Sequence, residues 1–280
     1  MKDAMGAVRR LVSVLRKGRI SGALRPVMRV RQKLRERSLR RVLKLTCQSK
    51  GPLPSVCYHG EIADLPASRV LRSCFLGVVS NGSKLPPEVS SIRGMSGQKY
   101  RTFINRVMAS MPNPRYLEIG SFTGSTAAAA LYGNCARAVC IDNWSQFGGP
   151  RSEFFFNLSK VCSSEIDFSV LERDFRSVDY SELGTFNVYM FDGPHAENDQ
   201  YDGIVFAQPA LDAVHILIID DWNWPAVRLG TLRALRDIRC KIEYAIELRT
   251  SLNNTHPLVR GEASEWHNGY LFAVIGKAFT

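Results

Sequence analysis

Six carboxylates sit where short apolar runs end. Glu118 lies in Tyr116-Leu117-Glu118-Ile119-Gly120-Ser121-Phe122-Thr123-Gly124. Asp142 lies in Cys140-Ile141-Asp142-Asn143-Trp144 and Asp174 in Leu171-Glu172-Arg173-Asp174-Phe175. Asp192 lies in Met190-Phe191-Asp192-Gly193-Pro194-His195, and Asp220-Asp221 closes Ile218-Ile219-Asp220-Asp221-Trp222. An acid at one strand end often only caps a turn or a helix. Five strand ends that all carry acids are harder to explain as caps. Carboxylates gathered along one edge repel one another, and a cationic or hydroxyl-rich ligand would offset that cost. His195 follows Asp192 by three residues. An imidazole, with an ordinary pKa near 6.5, can take a proton at neutral pH, so His195 reads as a general base or as a loop-ordering side chain bonded to backbone.

Such chemistry needs a scaffold that brings strand ends together, and the apolar spacing supplies one. Strands are expected over 115–119, 138–141, 168–172, 188–191, 215–219, 243–246 and 270–275, with helical segments at 125–133, 151–162, 199–212 and 225–238. Repeated strand-helix units imply a parallel sheet covered on both faces by right-handed crossovers. Ligands of such sheets bind at the carboxyl ends of the strands. Gly120 and Gly124 let backbone approach a ligand, and the free N–H groups of a helix start face it. The spacing Glu-x-Gly-x-x-x-Gly is not the Gly-x-Gly-x-x-Gly of dinucleotide enzymes, and no Gly-Lys-Ser/Thr follows as in a P-loop. Asp142 stands 22 residues after Gly120, where Rossmann-like folds place the acid that accepts ribose hydroxyls. Ahead of the sheet a helix is expected over 98–111, with Tyr100, Phe103, Ile104 and Val107 at helical spacing. It reads as a packing helix, or as a lid whose preceding Gly94-Met95-Ser96-Gly97 touches the ligand.

Over roughly residues 94–277 the chain resembles class I S-adenosylmethionine-dependent methyltransferases, whose first motif the glycine loop matches. Phe191-Asp192-Gly193-Pro194-His195 followed by Tyr201-Asp202 is similar to the D-G-x-H…Y motif of the branch that includes macrocin and caffeoyl-coenzyme A O-methyltransferases. Ile218-Ile219-Asp220-Asp221-Trp222 is similar to that branch's fifth strand. The resemblance implies an α/β fold, a Rossmann-like seven-stranded methyltransferase sheet of order 3-2-1-4-5-7-6 whose last strand is antiparallel. The polar stretch 249–268, with no long helix between the last two strands, fits that closing hairpin.

The resemblance further implies S-adenosylmethionine as cofactor. Its methionine end would lie on Glu118, Gly120, Ser121 and Gly124, its ribose on Asp142 and its adenine amino group on Asp174. The methyl group would pass to a hydroxyl oxygen of a small molecule or glycan. In metal-dependent members an Asp after strand four and an Asp-Asp or Asp-Asn pair after strand five hold a divalent cation; here these are Asp192, Asp220 and Asp221, with oxygen ligands suited to Mg²⁺. The caffeoyl group has Asn where this chain has Asp221. The other reading is that Asp221 caps the next helix and Asp220 bonds backbone. The macrocin-like branch has a histidine where His195 stands, which places catalysis on His195 and Asp192, with a metal or without one.

Trp144, Phe147, Trp222 and Trp224 follow strands two and five, where aromatic faces suit a sugar or ring acceptor or fill the core. Arg228 reads as a contact for an acidic acceptor or as a helix surface charge. His59, His215, His256 and His267 have no acidic motif beside them and read as structural.

The net charge of +11 belongs to the N-terminus. Residues 1–45 hold 15 Lys/Arg against Asp3 and Glu36, a balance of +13, which leaves −2 for the remainder. The organisation expected is a basic amphipathic helical arm (1–45), a proline-broken linker or cover segment (46–95) and a methyltransferase-like domain (96–280). Within the arm Val8, Leu11, Val12 and Leu15 share a helical face, and a second helix is expected over about 27–45. The arm admits three readings: packing on the body or on a second subunit in a homo-oligomer, anchoring to an anionic membrane surface, or binding nucleic acid. It lacks the interleaved aromatics that stack on bases, which speaks against nucleic acid. An Arg-rich, acid-poor transit peptide is a further reading.

Seven scattered cysteines without a C-x-x-C pair read as free thiols in a reducing compartment. No apolar run nears the roughly 18 residues of a membrane span. The expected location is the cytoplasm, with peripheral membrane association through the arm. Two rival functions are RNA methylation and a non-catalytic methyltransferase-fold binding module delivered by the arm. The intact acid set from Glu118 to Asp221 weighs against the second.

Overall fold

Side chains alternate along each apolar run, and that alternation sends them to one face of the sheet or the other. A computed structural model gives residues 21–45, 54–62, 64–81, 85–163 and 165–276, with side chains of the first helix from residue 28 onward. Among these, eight strands form one sheet: β1 (Ser55–His59), β2 (Arg115–Ile119), β3 (Arg137–Ile141), β4 (Asp167–Leu171), β5 (Phe186–Phe191), β6 (Leu211–Ile219), β7 (Lys241–Arg249) and β8 (Tyr270–Gly276). The helices that cover it are α1 (Ser21–Val42), α2 (Pro66–Asn81), α3 (Gln98–Ser110), α4 (Ser125–Leu131), α5 (Arg151–Ser159), α6 (Glu197–Ala207) and α7 (Pro225–Asp237).

The strand order is β1-β7-β8-β6-β5-β2-β3-β4. Counted from β2, this is the expected 3-2-1-4-5-7-6 with one strand more. β2 to β6 pair in parallel, and β8 is antiparallel to both β6 and β7. β7 therefore runs with the parallel strands and ends at the same edge as they do. In β5, Val188 and Met190 join the core under α2 to α5, while Tyr189 and Phe191 join the core under α6 and α7. Ala127 to Ala130 are fully buried, and such small side chains let α4 lie close on the sheet.

The expected count of seven strands is corrected to eight. β1 pairs antiparallel with β7, from Ser55 opposite Arg249 to His59 opposite Ala245. Its five residues follow Pro52 and Pro54 and are too few to show a period among breakers. The short ordered element expected over 71–79 is the longer helix α2, which starts on Pro66, a residue suited to the first helical turn. Leu71, Phe75 and Val78 are buried from one face of it, each worth about 1.5–3 kcal/mol. Cys57 on β1 is disulfide-bonded, so the expectation of seven free thiols does not hold.

α1 packs on the body. Leu39 is buried, Glu36 pairs with Arg228 of α7 at 3.0 Å, and Arg40 holds Glu247 of β7 through both Nη atoms at 2.5 and 2.6 Å. The apolar face expected over 4–17 lies outside the described residues. No described helix is long and apolar enough to cross a membrane.

Candidate active site

A cavity of 210 Å³ opens at the carboxyl ends of β2, β3 and β5. Gly120, Asp142, Asp174, Asp192 and His195 line it, together with Met95, Phe122, Trp144 and Phe147. Glu118, Ser121, Gly124, Asp220 and Asp221 do not line it and stand behind its wall. Met95 comes from the segment before α3, which the buried Arg101 ties down through Nη1 to the Ser90 and Ile92 carbonyls at 3.0 and 2.7 Å, and through Nε to Ser96 Oγ at 3.0 Å. α3 thus packs as expected, while of the four residues before it only Met95 lines the cavity.

The glycine loop is shaped first by protein contacts. Gly120 has φ +88°, and a Cβ there would lie 2.0 Å from the Asp192 carbonyl oxygen. Gly124 has φ +82°, and a Cβ there would meet Leu158 and Phe154 of α5. Gly124 therefore serves helix packing, whatever its backbone does toward a ligand. Asp142 fastens the loop: Oδ2 accepts the Ser121 and Phe122 N–H groups at 2.9 and 2.8 Å, and Oδ1 accepts Trp144 N–H at 2.7 Å. Asp174 Oδ1 caps its own turn by accepting Arg176 N–H at 2.9 Å. Phe122, Trp144 and Phe147, all at the cavity, and Asp221 behind it have φ between 47° and 55°. Bulky residues rarely occupy that left-handed region, and although Lys44 and Arg239 do so elsewhere, four such residues gather here.

Below the cavity carboxyl groups crowd together. Glu118 is fully buried and accepts the Tyr116 hydroxyl on Oε2 at 2.5 Å, while Oε1 has no partner. Burial raises its pKa to about 7. Asp220 is buried with an unpartnered Oδ1, and burial followed by repulsion from Asp192 and Asp221 pushes it well above the usual carboxylate range. Asp192 is pushed up by burial and by the charges of Asp221 and Glu118. The Ser121 hydroxyl lies beside both Glu118 and Cys140 and lowers the pKa of each, against the larger upward push of burial.

His195 bridges the two loops. Its Nε2 lies 3.2 Å from Asp221 Oδ2 and 3.5 Å from Asp192 Oδ1. Asp221 is itself held by Asn268, whose buried Nδ2 donates to Oδ1 at 2.7 Å. Asn268 Oδ1 meets His256 Nδ1 at 3.0 Å, and Trp224 packs edge-on against the His256 ring. His267 Nε2 is 3.9 Å from Asp221 Oδ1, and burial lowers its pKa. His256 and His267, read from the sequence as structural, and Asn268, which no motif marks, sit in the polar stretch before β8 and meet Asp221 only through the fold. Trp144 and Phe147 are at the cavity as expected. Trp222 is buried on the far side, with Nε1 donating to Glu247 at 2.7 Å. Arg228 is neither a surface charge nor at the cavity; it is buried against the Trp222 and Asn223 carbonyls.

Asp192, Asp220 and Asp221 come close together, with Asp192 and Asp220 within hydrogen-bond reach of each other, but not as a ready metal centre. Among the described residues no group of three or more His, Cys, Asp and Glu side chains is placed to hold a metal ion. The His195 ring occupies the space between Asp192 and Asp221, so the donors expected for Mg²⁺ do not fit it as they stand. A cation carried by an organic ligand fits better, since the raised carboxyls of Glu118 and Asp220 lie beneath the cavity wall and would ionise more readily beside a positive charge.

No protein-family model and no curated protein matches the chain. Solved structures resemble it at low identity. The O-methyltransferase TomG from Streptomyces achromogenes, involved in tomaymycin synthesis and solved with its cofactor, is 12% identical over 76% of this chain and 99% of its own, with a TM-score of 0.49. A candidate RNA methyltransferase, PH1948 from Pyrococcus horikoshii, is 10% identical over 78% of this chain and 100% of its own, with a TM-score of 0.46. The ribosomal protein L11 methylase from Lactobacillus delbrueckii subsp. bulgaricus is 16% identical over 65% of this chain and 78% of its own, with a TM-score of 0.42. These likenesses do not decide the acceptor.

Proposed function

We propose that the protein transfers a methyl group from S-adenosylmethionine to a hydroxyl oxygen of a small molecule or glycan. The observation that carries this reading is the set of buried, unpartnered carboxyl oxygens beneath a cavity whose far wall holds His195 against Asp221. The bound cofactor supplies an electrophilic methyl on a sulfonium cation, and its ammonium group is a second cation. Glu118 and Asp220 offer the negative charge that both lack. The Gly120–Ser121 backbone and the spare lone pair of Asp142 face the polar middle of such a ligand, and Asp174 stands at the end suited to its base.

His195 handles the proton. Both carboxylate contacts go to Nε2, so an Nε2–H held by Asp221 leaves the lone pair on Nδ1. Nδ1 would then take the acceptor's hydroxyl proton as the oxygen bonds the methyl carbon and the sulfur–methyl bond breaks to leave a neutral thioether, and Asp221 would steady the imidazolium formed. Phe122, Phe147 and Met95 offer apolar faces to a sugar or ring. Positioning of the two reactants supplies most of the acceleration.

Calorimetry with S-adenosylmethionine and with its demethylated product tests the reading. Binding of both is expected, weakened at least about tenfold in Asp142→Ala, which frees the loop amides. Absence of binding by either compound would overturn it.

A further inference from the structure

α1 and the loop after β7 enclose a second groove of 430 Å³. Its walls carry Arg29, Lys33, Arg37, Arg40, Arg228 and Arg249 against one carboxylate, Glu36. Glu36 is occupied by Arg40 Nε at 3.1 Å and Arg228 Nε at 3.0 Å, and the other end of Arg40 is closed on Glu247. Arg29, Lys33, Arg37 and Arg249 form no ion pair among the described residues.

Arg249 carries the argument. It ends β7, is partly buried, and its Nε is shut from solvent without a hydrogen-bond partner. Its Nη2 reaches Asn254 Oδ1 at 3.1 Å, an oxygen shared with Arg228 Nη2 at 3.1 Å. Burial first, then the charge of Arg228, bring its pKa down to about 10, with Arg40 adding to this and Glu36 and Glu247 opposing it from a distance. A half-buried guanidinium facing two others, with Glu36 and Glu247 already bonded to those neighbours and neither in direct contact with it, is unfavourable in the bare protein. An anion in the groove reverses that. Guanidinium forks match phosphate oxygens in geometry, and several unneutralised cations exceed what one carboxylate requires. The groove opens at the catalytic edge: Ile219 is level with Leu271 and Leu271 with Glu247, so Asp221 and Arg249, each two residues further on, stand about two strand spacings or 10 Å apart.

We propose that this groove binds phosphate groups at the scale of a diphosphate, with Arg249 at its centre. Its ligand is a soluble phosphate ester or an anionic lipid headgroup. The first probe is pyrophosphate, titrated by calorimetry into the full chain at ionic strength matched with sodium chloride. Saturable binding is expected, weakened about tenfold or more in Arg249→Gln and also in Lys33→Gln/Arg37→Gln, whose side chains are exposed and not needed for folding. Without anion, Arg249→Gln is expected to melt no lower than the parent, because it removes a repulsive charge. If Arg249→Gln does not fold, the Lys33/Arg37 variant decides alone.

Vesicles of phosphatidylglycerol against phosphatidylcholine form the second arm. Phosphatidylglycerol binding that Arg249→Gln abolishes and pyrophosphate displaces assigns the site to headgroups. Pyrophosphate binding with vesicles ignored assigns it to a soluble ester. No pyrophosphate binding above the chloride control, or equal affinity in parent and variants, overturns the proposal.

Discussion

At the scale of single residues, the acids beneath the cavity decide the most. Glu118 has a carboxyl that folding raises from 4.5 to about 7. The folded protein therefore holds this proton more tightly than the unfolded chain. Its contribution to stability is fully present below pH 4.5 and is lost as pH rises through 7. Glu118→Gln should accordingly stabilise the ligand-free protein above pH 7, by up to about 3 kcal/mol, since one pKa unit is about 1.4 kcal/mol. Gln still accepts the Tyr116 hydroxyl. The same variant should bind S-adenosylmethionine less well, and in the parent that binding should tighten as pH rises from 6 to 8. Urea unfolding at pH 6 and pH 8 checks the first statement, and calorimetry across that range checks the second.

His195 and Asn268 form a second residue-scale case. His195→Ala should lose about 10²–10⁴-fold in kcat, with partial recovery at high pH as the acceptor ionises by itself. Asn268 touches no cavity residue except through Asp221, so Asn268→Ala should lower kcat less and leave cofactor affinity within about twofold. Single-turnover methyl transfer, set beside cofactor titration, separates the two. Equal loss of affinity in Asn268→Ala would mean that it acts only by holding the fold.

At the scale of elements, β2 to β6 were readable because each has an apolar run that carries an acid or runs into one within a few residues. β2 has its expected bounds, and all six residues of β5 are buried. The acids were readable for the same reason, since a parallel sheet puts every such strand end on one edge. The site's other half was not. Asn268, His256 and His267 are brought to Asp221 by the antiparallel return of β8, which no local pattern encodes. β1 was hidden by its prolines and its length.

The glycine loop was readable as a loop, but the reason for each glycine was not. Gly120 yields to backbone and Gly124 to side-chain ends. Backbone cannot move aside cheaply, whereas Leu158 can rotate. Gly120→Ala should therefore lose about 2–4 kcal/mol from clash and positive φ together, and Gly124→Ala clearly less. Thermal melts of both variants test the order, and a reversed order would refute this account of the loop.

At the scale of the whole molecule, one carboxylate joins arm, sheet edge and site. Glu247 of β7 meets Arg40 of α1, His59 of β1 at 2.7 Å and Trp222, which directly follows Asp221. Burial alone would raise its pKa, but Arg40 and His59 hold it well below the usual carboxylate range. A lowered carboxyl stabilises fully above its unfolded value of 4.5, and that stability is lost as pH falls further. Removing Arg40 leaves this carboxylate buried with only a histidine and an indole N–H. Arg40 is itself 20% exposed, so Arg40→Met should fall at the lower end of the range for breaking a buried pair, about 3 kcal/mol. Adding Glu247→Gln should restore much of the loss, because the amide needs no counter-charge and still accepts from Trp222. Urea unfolding of the two single variants and the double variant at pH 7 gives the coupling between them. A strongly favourable coupling would show that α1 is held to the sheet through Glu247. Additive losses would mean that Leu39 and the remaining arm contacts carry the docking without it.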